Sequence, residues 1–338
     1  DKKEAVKEVT IPELATLDDV ADILYENGLI SYPKIFKMYA GFINDNGEYV
    51  AGDYTLSTTL SYRQLLASFK SSKEKEIISI TIPEGYTTDE IINLFVENGI
   101  GTREGFIDVI NNYDWREDYN YWFIDELEEY GYSEDRFYRL DGYLYPDTYY
   151  FYSDSSEVTA ISKLLDNFSV KFTDTYREYA KSLGFTTDQI VTIASMIESE
   201  AKYLAEFPLV SSVFHNRLKK SQFYPFLESD ATIMYAIMHD TGERPERLTS
   251  TEYDSPYNTY KNKGLPPGPI SNPGYNALTY ALYPKNTDYY YFVANNDGYS
   301  VFSKTYAEHL AAVKAVADGT AISTLRQGTE GGVVEDYE

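Results

Sequence analysis

Two stretches in the first third of the chain share one pattern of apolar and polar positions. Residues 9–28 read VTIPELATLDDVADILYENG, and residues 80–99 read ITIPEGYTTDEIINLFVENG. About nine of the twenty positions are identical, and most others exchange one apolar residue for another. Each copy opens with a short β-type run ending at Pro12 or Pro83. Thr16 or Thr87 then precedes an acidic first turn, which suits an N-cap and the positive end of the helix dipole. Val20, Ile23 and Leu24 in one copy, and Ile91, Leu94 and Phe95 in the other, recur at helical spacing. Gly28 and Gly99 stand where a helix stops. A second helix is predicted in each copy, over 32–40 and 103–112. An extended return follows, GDYTLS from Gly52 and GYLYPDTYYFY from Gly142. Each copy thus reads strand, helix, helix, strand, the layout of LysM-like modules, which bind glycan chains. A small packing unit that only supports its neighbour has the same layout.

Helical patterning continues over 155–180. Thr186 then lies three residues before Gln189, a capping-box spacing, and QIVTIASMIESEA follows. Ile190, Ile193, Ala194, Ile197 and Ala201 form one apolar stripe, with Glu198 and Glu200 on its opposite edges. A carboxyl at the edge of a buried face is partly desolvated, which raises its pKa. A general acid for glycosidic cleavage needs that shift. Solvated helix-edge acids are the commoner fate of Glu, and periodicity does not choose between the two residues.

VSSVFHNRL (210–218) predicts another helix, with Asn216 and Arg217 near its end. Ser229 and Asp230 stand at the N-cap of a helix over 231–239. The free N–H groups of such an end can also orient a substrate acetamide or hydroxyl. Residues 255–274, SPYNTYKNKGLPPGPISNPG, are too rich in proline and glycine for helix or central strand. They predict a long, stiff loop, of the kind that is usually functional. Tyr257, Asn258, Thr259 and Tyr260 offer stacking surface and hydrogen-bond groups there, and Asn272-Pro273 reads as an N-cap with Pro at N1. A hairpin (DYYYFVA, NNDG, YSVFSK) and a last helix over 305–317 follow.

Composition narrows the function. The 29 Lys and Arg face 54 Asp and Glu, a net charge of −25, with no basic cluster. That excludes nucleic acid and a peripheral site on anionic lipid. The absence of cysteine removes disulfides, thiolate zinc sites and cysteine nucleophiles. Three histidines leave little for a histidine metal site, and no glycine-rich phosphate loop stands out. Neither cofactor nor metal is expected. The 338 residues, 43% apolar, suit about two domains. The 35 tyrosines fit sugar binding as well as amphipathic packing. No stretch approaches the length of a membrane span and no signal peptide is visible. The chain begins at Asp1 without a methionine, so a preceding segment is expected to have been removed.

In order along the chain come TIPEG (81–85), LDGYLYPDTY (140–149), IASMIESEA (193–201) and VFHNRL (213–218). SDATIMYA (229–236), SPYNTY (255–260), GLPPGPISNPG (264–274), YYFVA and FSKTYAEH complete the series. The series resembles the endolytic murein transglycosylase family, also called MltG or YceG-like. The resemblance covers about residues 80–316, and a weaker likeness takes in the first repeat. It implies an enzyme that cuts peptidoglycan glycan strands internally, between MurNAc and GlcNAc. Such enzymes use no water: the MurNAc C6 hydroxyl attacks C1 and leaves a 1,6-anhydro end. The catalytic glutamate of the family matches Glu198. Candidates for binding or orienting substrate are Glu200, Asn216, Arg217, Ser229, Asp230, Tyr257, Asn258, Thr259, Tyr260 and Asn272. The resemblance also implies peptidoglycan synthases as partners and a place outside the bacterial cell membrane, held by an N-terminal anchor absent from this chain. The sequence departs from the family pattern at Asp141, Glu228 and Ala231, where members commonly have Glu, Gln and Pro.

The expected organisation is α+β. A linker (1–8) leads to two LysM-like βααβ units (9–75 and 76–152). A mixed α/β catalytic domain (153–318) with the long Pro/Gly-rich loop follows, then a flexible tail (319–338). A hydrolase of the same glycan and a non-catalytic peptidoglycan-binding scaffold are the alternative functions.

Overall fold

The computed structural model describes residues 5–327 apart from 44, 46, 71–76 and 249. The chain divides into two compact units, 1–76 and 77–338.

The first unit runs β1 (Val6–Ile11), α1 (Leu17–Glu26), α2 (Pro33–Phe42), β2 (Gly52–Ser57), α3 (Tyr62–Ser68). The strands pair antiparallel, with Val6 opposite Ser57 and Ile11 opposite Gly52. Thr16 caps α1 in a reciprocal box with Asp19. Val9, Ile11, Val20, Leu24, Phe36 and Phe69 fill a core of the unit's own. Residues 6–8 belong to β1 and not to the expected linker. Their side chains are exposed, but ladder hydrogen bonds come from the backbone, which a charged composition does not reveal. The earlier part of that linker lies outside the described residues.

In the second unit β3 (Ile77–Thr81) pairs antiparallel with β4 (Thr148–Tyr152). Between them lie α4 (Thr88–Glu97), α5 (Arg103–Asn112), α6 (Trp115–Asp118) and α7 (Trp122–Tyr130), four helices where the repeat predicts two, because Trp115, Phe123, Ile124 and Leu127 bury a further apolar face in the core. Three helices follow: α8 (Glu157–Lys171), α9 (Asp174–Leu183) and α10 (Thr187–Glu200). A 3-10 turn (Leu204–Glu206) leads to α11 (Phe207–Lys219) and α12 (Asp230–Thr241). Residues 255–274 contain turns and bends, without helix or strand. They lead to α13 (Tyr275–Leu282), the antiparallel hairpin β5 (Tyr291–Ala294) and β6 (Ser300–Ser303), α14 (Tyr306–Ala317) and α15 (Thr324–Gln327).

One apolar core joins Ile80, Phe95 and Phe106 of the second repeat to Ile190, Ile197, Val210 and Phe302 downstream. The expected junction at 152/153 is therefore crossed by a continuous core. Its axis is α10, which packs against α11, α12 and α13 and buries every residue from Ile190 to Ile197. The polar members of that run serve themselves. Thr192 and Ser195 return their hydroxyls to carbonyls one turn back, at 2.8 Å each.

A buried polar network ties the repeat to this axis. Asp141, 1% exposed, accepts 2.6 Å hydrogen bonds from Thr88 Oγ1 on α4 and the Tyr235 hydroxyl on α12. Arg136 donates to Asp188 Oδ1 at 2.7 Å and to the carbonyls of Tyr138 and Asp141. Burial pushes Asp141 up to about 6, against the pull of Arg136 and the two hydroxyls.

The start of the expected tail is held down. Thr324 Oγ1 accepts the Phe302 N–H at 2.7 Å, and Ser323 is buried. Residues 328–338 of that tail lie outside the described residues. Among the described residues no helix is long and apolar enough to cross a membrane.

Candidate active site

Glu198 sits in the last turn of α10, where two loops lock together beside it. Gly85 N donates to Asn272 O at 2.9 Å, and Asn272 N donates back to Tyr86 O at 2.8 Å. The Asn272 side chain accepts from Leu144 N at 2.9 Å and donates to Tyr86 O at 3.0 Å. Ser195 Oγ accepts from Ile270 N at 3.0 Å, and Ser195 O from Ser271 Oγ at 3.2 Å. Residues 270–274 thus form a strap fastened along α10. At its end, Gly274 N donates to Glu198 Oε2 at 3.0 Å.

Both glycines at the contact are there for space. Gly85 has φ +79°, and a Cβ on it would lie 3.3 Å from Glu198 Cγ. The matching residue of the first repeat, Leu14, also has positive φ, but its side chain is 95% exposed. The turn is common to both repeats; in the second, Glu198 stands close enough that a side chain would crowd it. At Gly274 the Glu84 side chain occupies the place a Cβ would take.

Burial pushes the Glu198 carboxyl up to about 7; the Gly274 N–H pulls it down and the Glu84 charge raises it further. Near neutral pH it is therefore present both with and without its proton. A single group that must give a proton and then take one back needs that balance. Next to it, Ser199 Oγ donates to Ser195 O at 2.8 Å and lies 3.3 Å from Ser271 Oγ. A space of about 60 Å³ opens there, bordered by Gly85, Ser199, Ala231 and Ser271.

Glu200 projects about 200° around the helix from Glu198. Ser229 Oγ donates to Glu200 Oε1 at 2.5 Å, and Ala231 N reaches the same oxygen at 3.4 Å. Thr259 Oγ1 accepts from Ser229 N at 3.0 Å, and the Tyr260 hydroxyl donates to Asp230 Oδ1 at 2.7 Å. The structure thus brings Glu200, Ser229, Asp230, Thr259 and Tyr260 into one cluster. Burial holds the Glu200 carboxyl above its ordinary range, with Ser229 pulling the other way. Ser229 occupies the N-cap position of α12 without capping through its side chain. Glu200 Oε1 accepts the Ala231 N–H in place of a capping hydroxyl.

Several expectations change. Tyr257 is fully buried, its ring 4.6 Å from Phe137 and 5.0 Å from Tyr235 between centroids, so it has no face to offer a sugar. Asn258 is equally buried. Its amide donates to the carbonyls of Thr251 and Tyr253 at 2.9 and 2.6 Å, and its oxygen accepts from Tyr260 N. It shapes the turn that carries Tyr260. Asn272 is not an N-cap, because α13 begins later, behind Gly274. Asn216 donates to the carbonyls of Thr287 and Tyr289 at 2.9 Å each. Arg217 donates to Tyr290 O at 2.6 Å and to Glu228 Oε2 at 2.7 Å, so both residues join α11 to the segment entering β5. Glu84, Gly85, Ser271 and Gly274 also border Glu198 or the strap, and no local pattern marks them as site residues. Comparison of the two repeats holds one signal: glycine in TIPEG where the first repeat has leucine.

A half-buried carboxyl balanced near neutrality and closed in by a strap is the arrangement that single-carboxyl acid–base chemistry needs. The chain belongs to the YceG-like family, whose model matches residues 9–315. It is 32% identical over 303 residues to the endolytic murein transglycosylase of Bacillus subtilis strain 168, covering 89% of this chain and 82% of that protein. It is 30% identical over 321 residues to the endolytic murein transglycosylase of Streptococcus pneumoniae serotype 2 strain D39, covering 89% of this chain but 56% of that longer protein. The crystal structure of a YceG-like protein from Listeria monocytogenes matches with a TM-score of 0.60 at 32% identity, over 91% of this chain and 99% of its own.

Proposed function

We propose that this chain is an endolytic murein transglycosylase, a lytic transglycosylase that cuts peptidoglycan strands between MurNAc and GlcNAc. The observation that carries the reading is the Glu198 carboxyl, raised to about 7 in a site built by the strap and the Gly85 turn. Relatives of that name along most of the chain support it. As acid, Glu198 gives its proton to the glycosidic oxygen as the bond from MurNAc C1 breaks, and the GlcNAc end leaves as an alcohol. As base, the same carboxylate takes the proton of the MurNAc C6 hydroxyl while that oxygen bonds to C1. The product carries a 1,6-anhydro ring, and Glu198 ends with its proton restored. No second carboxylate nucleophile is required. Glu200, Ser229, Asp230 and Tyr260 orient the strand on the far side of the helix end. The substrate places the reaction outside the bacterial cell membrane, beside the synthases that make new strands. The strand–helix–helix–strand layout of the first unit supports a LysM-like contact with glycan.

The test is mass spectrometry of purified peptidoglycan after incubation with wild type and Glu198→Gln. Wild type is expected to release anhydro-ended muropeptides, and the variant at least about a hundredfold fewer. Equal release by the variant sinks the assignment of Glu198. Ends heavier by one water identify a hydrolase, and sacculus binding without new ends identifies a scaffold.

A further inference from the structure

The space on the Glu200 side is much larger than the one bordered by Gly85 and Ser199. It measures about 450 Å³, within the range of ligand pockets, and Glu200 lines it. Its opposite wall comes from β5 and α14, which the mechanism does not use. Tyr291 stacks on His309 there, with centroids 5.2 Å apart and planes 20° from parallel. The Tyr306 ring lies 5.8 Å from Tyr291 and is 59% exposed.

The polar groups of the cavity favour a neutral ligand. The one guanidinium, Arg217, is already taken up by Glu228 Oε2 and by the carbonyls of Phe226 and Tyr290. Glu200, Glu228 and Asp230 contribute acidic groups to the lining. An anionic ligand, such as a peptide rich in carboxylates, is repelled by such a wall. A sugar ring presents an apolar face to an aromatic ring, and hydroxyl and acetamide edges to a carboxyl. Glu200 has such an edge to meet: both of its hydrogen bonds go to Oε1, and Oε2 has none among the described residues. His309 Nδ1 likewise has no hydrogen-bond partner among them.

We propose that this cavity is a subsite for a neutral N-acetylated hexosamine of the strand that Glu198 cuts, with Tyr306 as its stacking face and Glu200 as its polar anchor. The proposal rests on the transglycosylase reading above. Its place suits it: Glu198 and Glu200 leave the same helix end, and the start of α12 separates the two spaces. Ala231 borders the smaller and Asp230 the larger, so a strand crossing the helix end reaches both.

The experiment uses the full chain with Glu198→Gln as a non-cleaving host. The probe is chitotetraose, a neutral oligomer of N-acetylglucosamine without peptide, titrated by calorimetry. Adding Tyr306→Ala, at an exposed position that does not endanger the fold, is expected to weaken binding about tenfold. Tyr306→Phe, which keeps the ring, is expected to retain most of it. In the active chain Tyr306→Ala should raise KM more than it lowers kcat. Binding that ignores Tyr306→Ala overturns the subsite, as does no binding by the host of an active wild type. If wild type forms no anhydro ends while chitotetraose still binds through Tyr306, the activity reading fails and the sugar site stands.

Discussion

Glu198 keeps its proton to about pH 7 because the fold desolvates it, and that has a thermodynamic consequence. Between its ordinary value of 4.5 and about 7, the folded chain holds a proton that the unfolded chain has released. Stability contributed at this residue therefore falls as pH rises through that window and stays reduced above it. Glu198→Gln removes the effect. The variant is expected to exceed wild type by on the order of 2 kcal/mol at pH 8 and to match it at pH 4, read by urea denaturation at both. A desolvated carboxyl whose loss stabilises the protein is the ordinary trade between activity and stability. Gly85 poses the opposite case. Gly85→Ala places a side chain in the left-handed region, costing roughly 1–2 kcal/mol, and presses on Glu198 Cγ. Release of anhydro ends is expected to fall at least about tenfold, with a lowered denaturation midpoint.

At the scale of elements, what was legible depended on how far away the partner lay. Thr16, Thr87 and Thr186 were readable as caps because each bonds within three residues, and all three form capping boxes. The pattern predicts the second helix of the second repeat at its observed bounds, Arg103–Asn112. The same local logic predicts caps at Ser229 and Asn272; Ser229 stands at the N-cap of α12 without a side-chain capping bond, and α13 begins behind Gly274, beyond Asn272. The Ser229 hydroxyl goes to a carboxyl 29 positions away, and Asn272 Oδ1 to an N–H 128 positions away. The joint between the second repeat and α10 is of this kind too. Arg136 is buried, and its Asp188 partner is largely so. Arg136→Met removes the cation paired with Asp188, which keeps only the Tyr143 hydroxyl, and takes a donor from the carbonyls of Tyr138 and Asp141. It is expected to destabilise the second unit by about 3 kcal/mol, seen as a lower urea midpoint.

Across the molecule, two cores imply two cooperative units. Calorimetry is expected to resolve two transitions. Phe36→Ala, at a fully buried position of the first core, should lower one of them by about 3 kcal/mol while release of anhydro ends persists. The composition also takes on meaning at this scale. A net charge of −25 gives no attraction toward an anionic wall, so recognition falls to stacking and hydrogen bonds. Only some of the 35 tyrosines can serve that purpose. Tyr143 and Tyr257 are core residues, whereas Tyr306 shows its ring to solvent.

Alone, the sequence determined the strand–helix–helix opening shared by the two repeats, the helices with their local caps, and a buried helix ending in two glutamates. Each of these follows from residues within a turn or two of one another, which periodicity and capping chemistry register. The two glutamates were equal at that level, and only the resemblance to a family separated them. The tertiary structure decided their environments. The N–H that reaches Glu198 comes from 76 positions away, and the hydroxyl that reaches Glu200 from 29. Desolvation and hydrogen bonding set a carboxyl's pKa, and both come from whichever segments the fold packs against it.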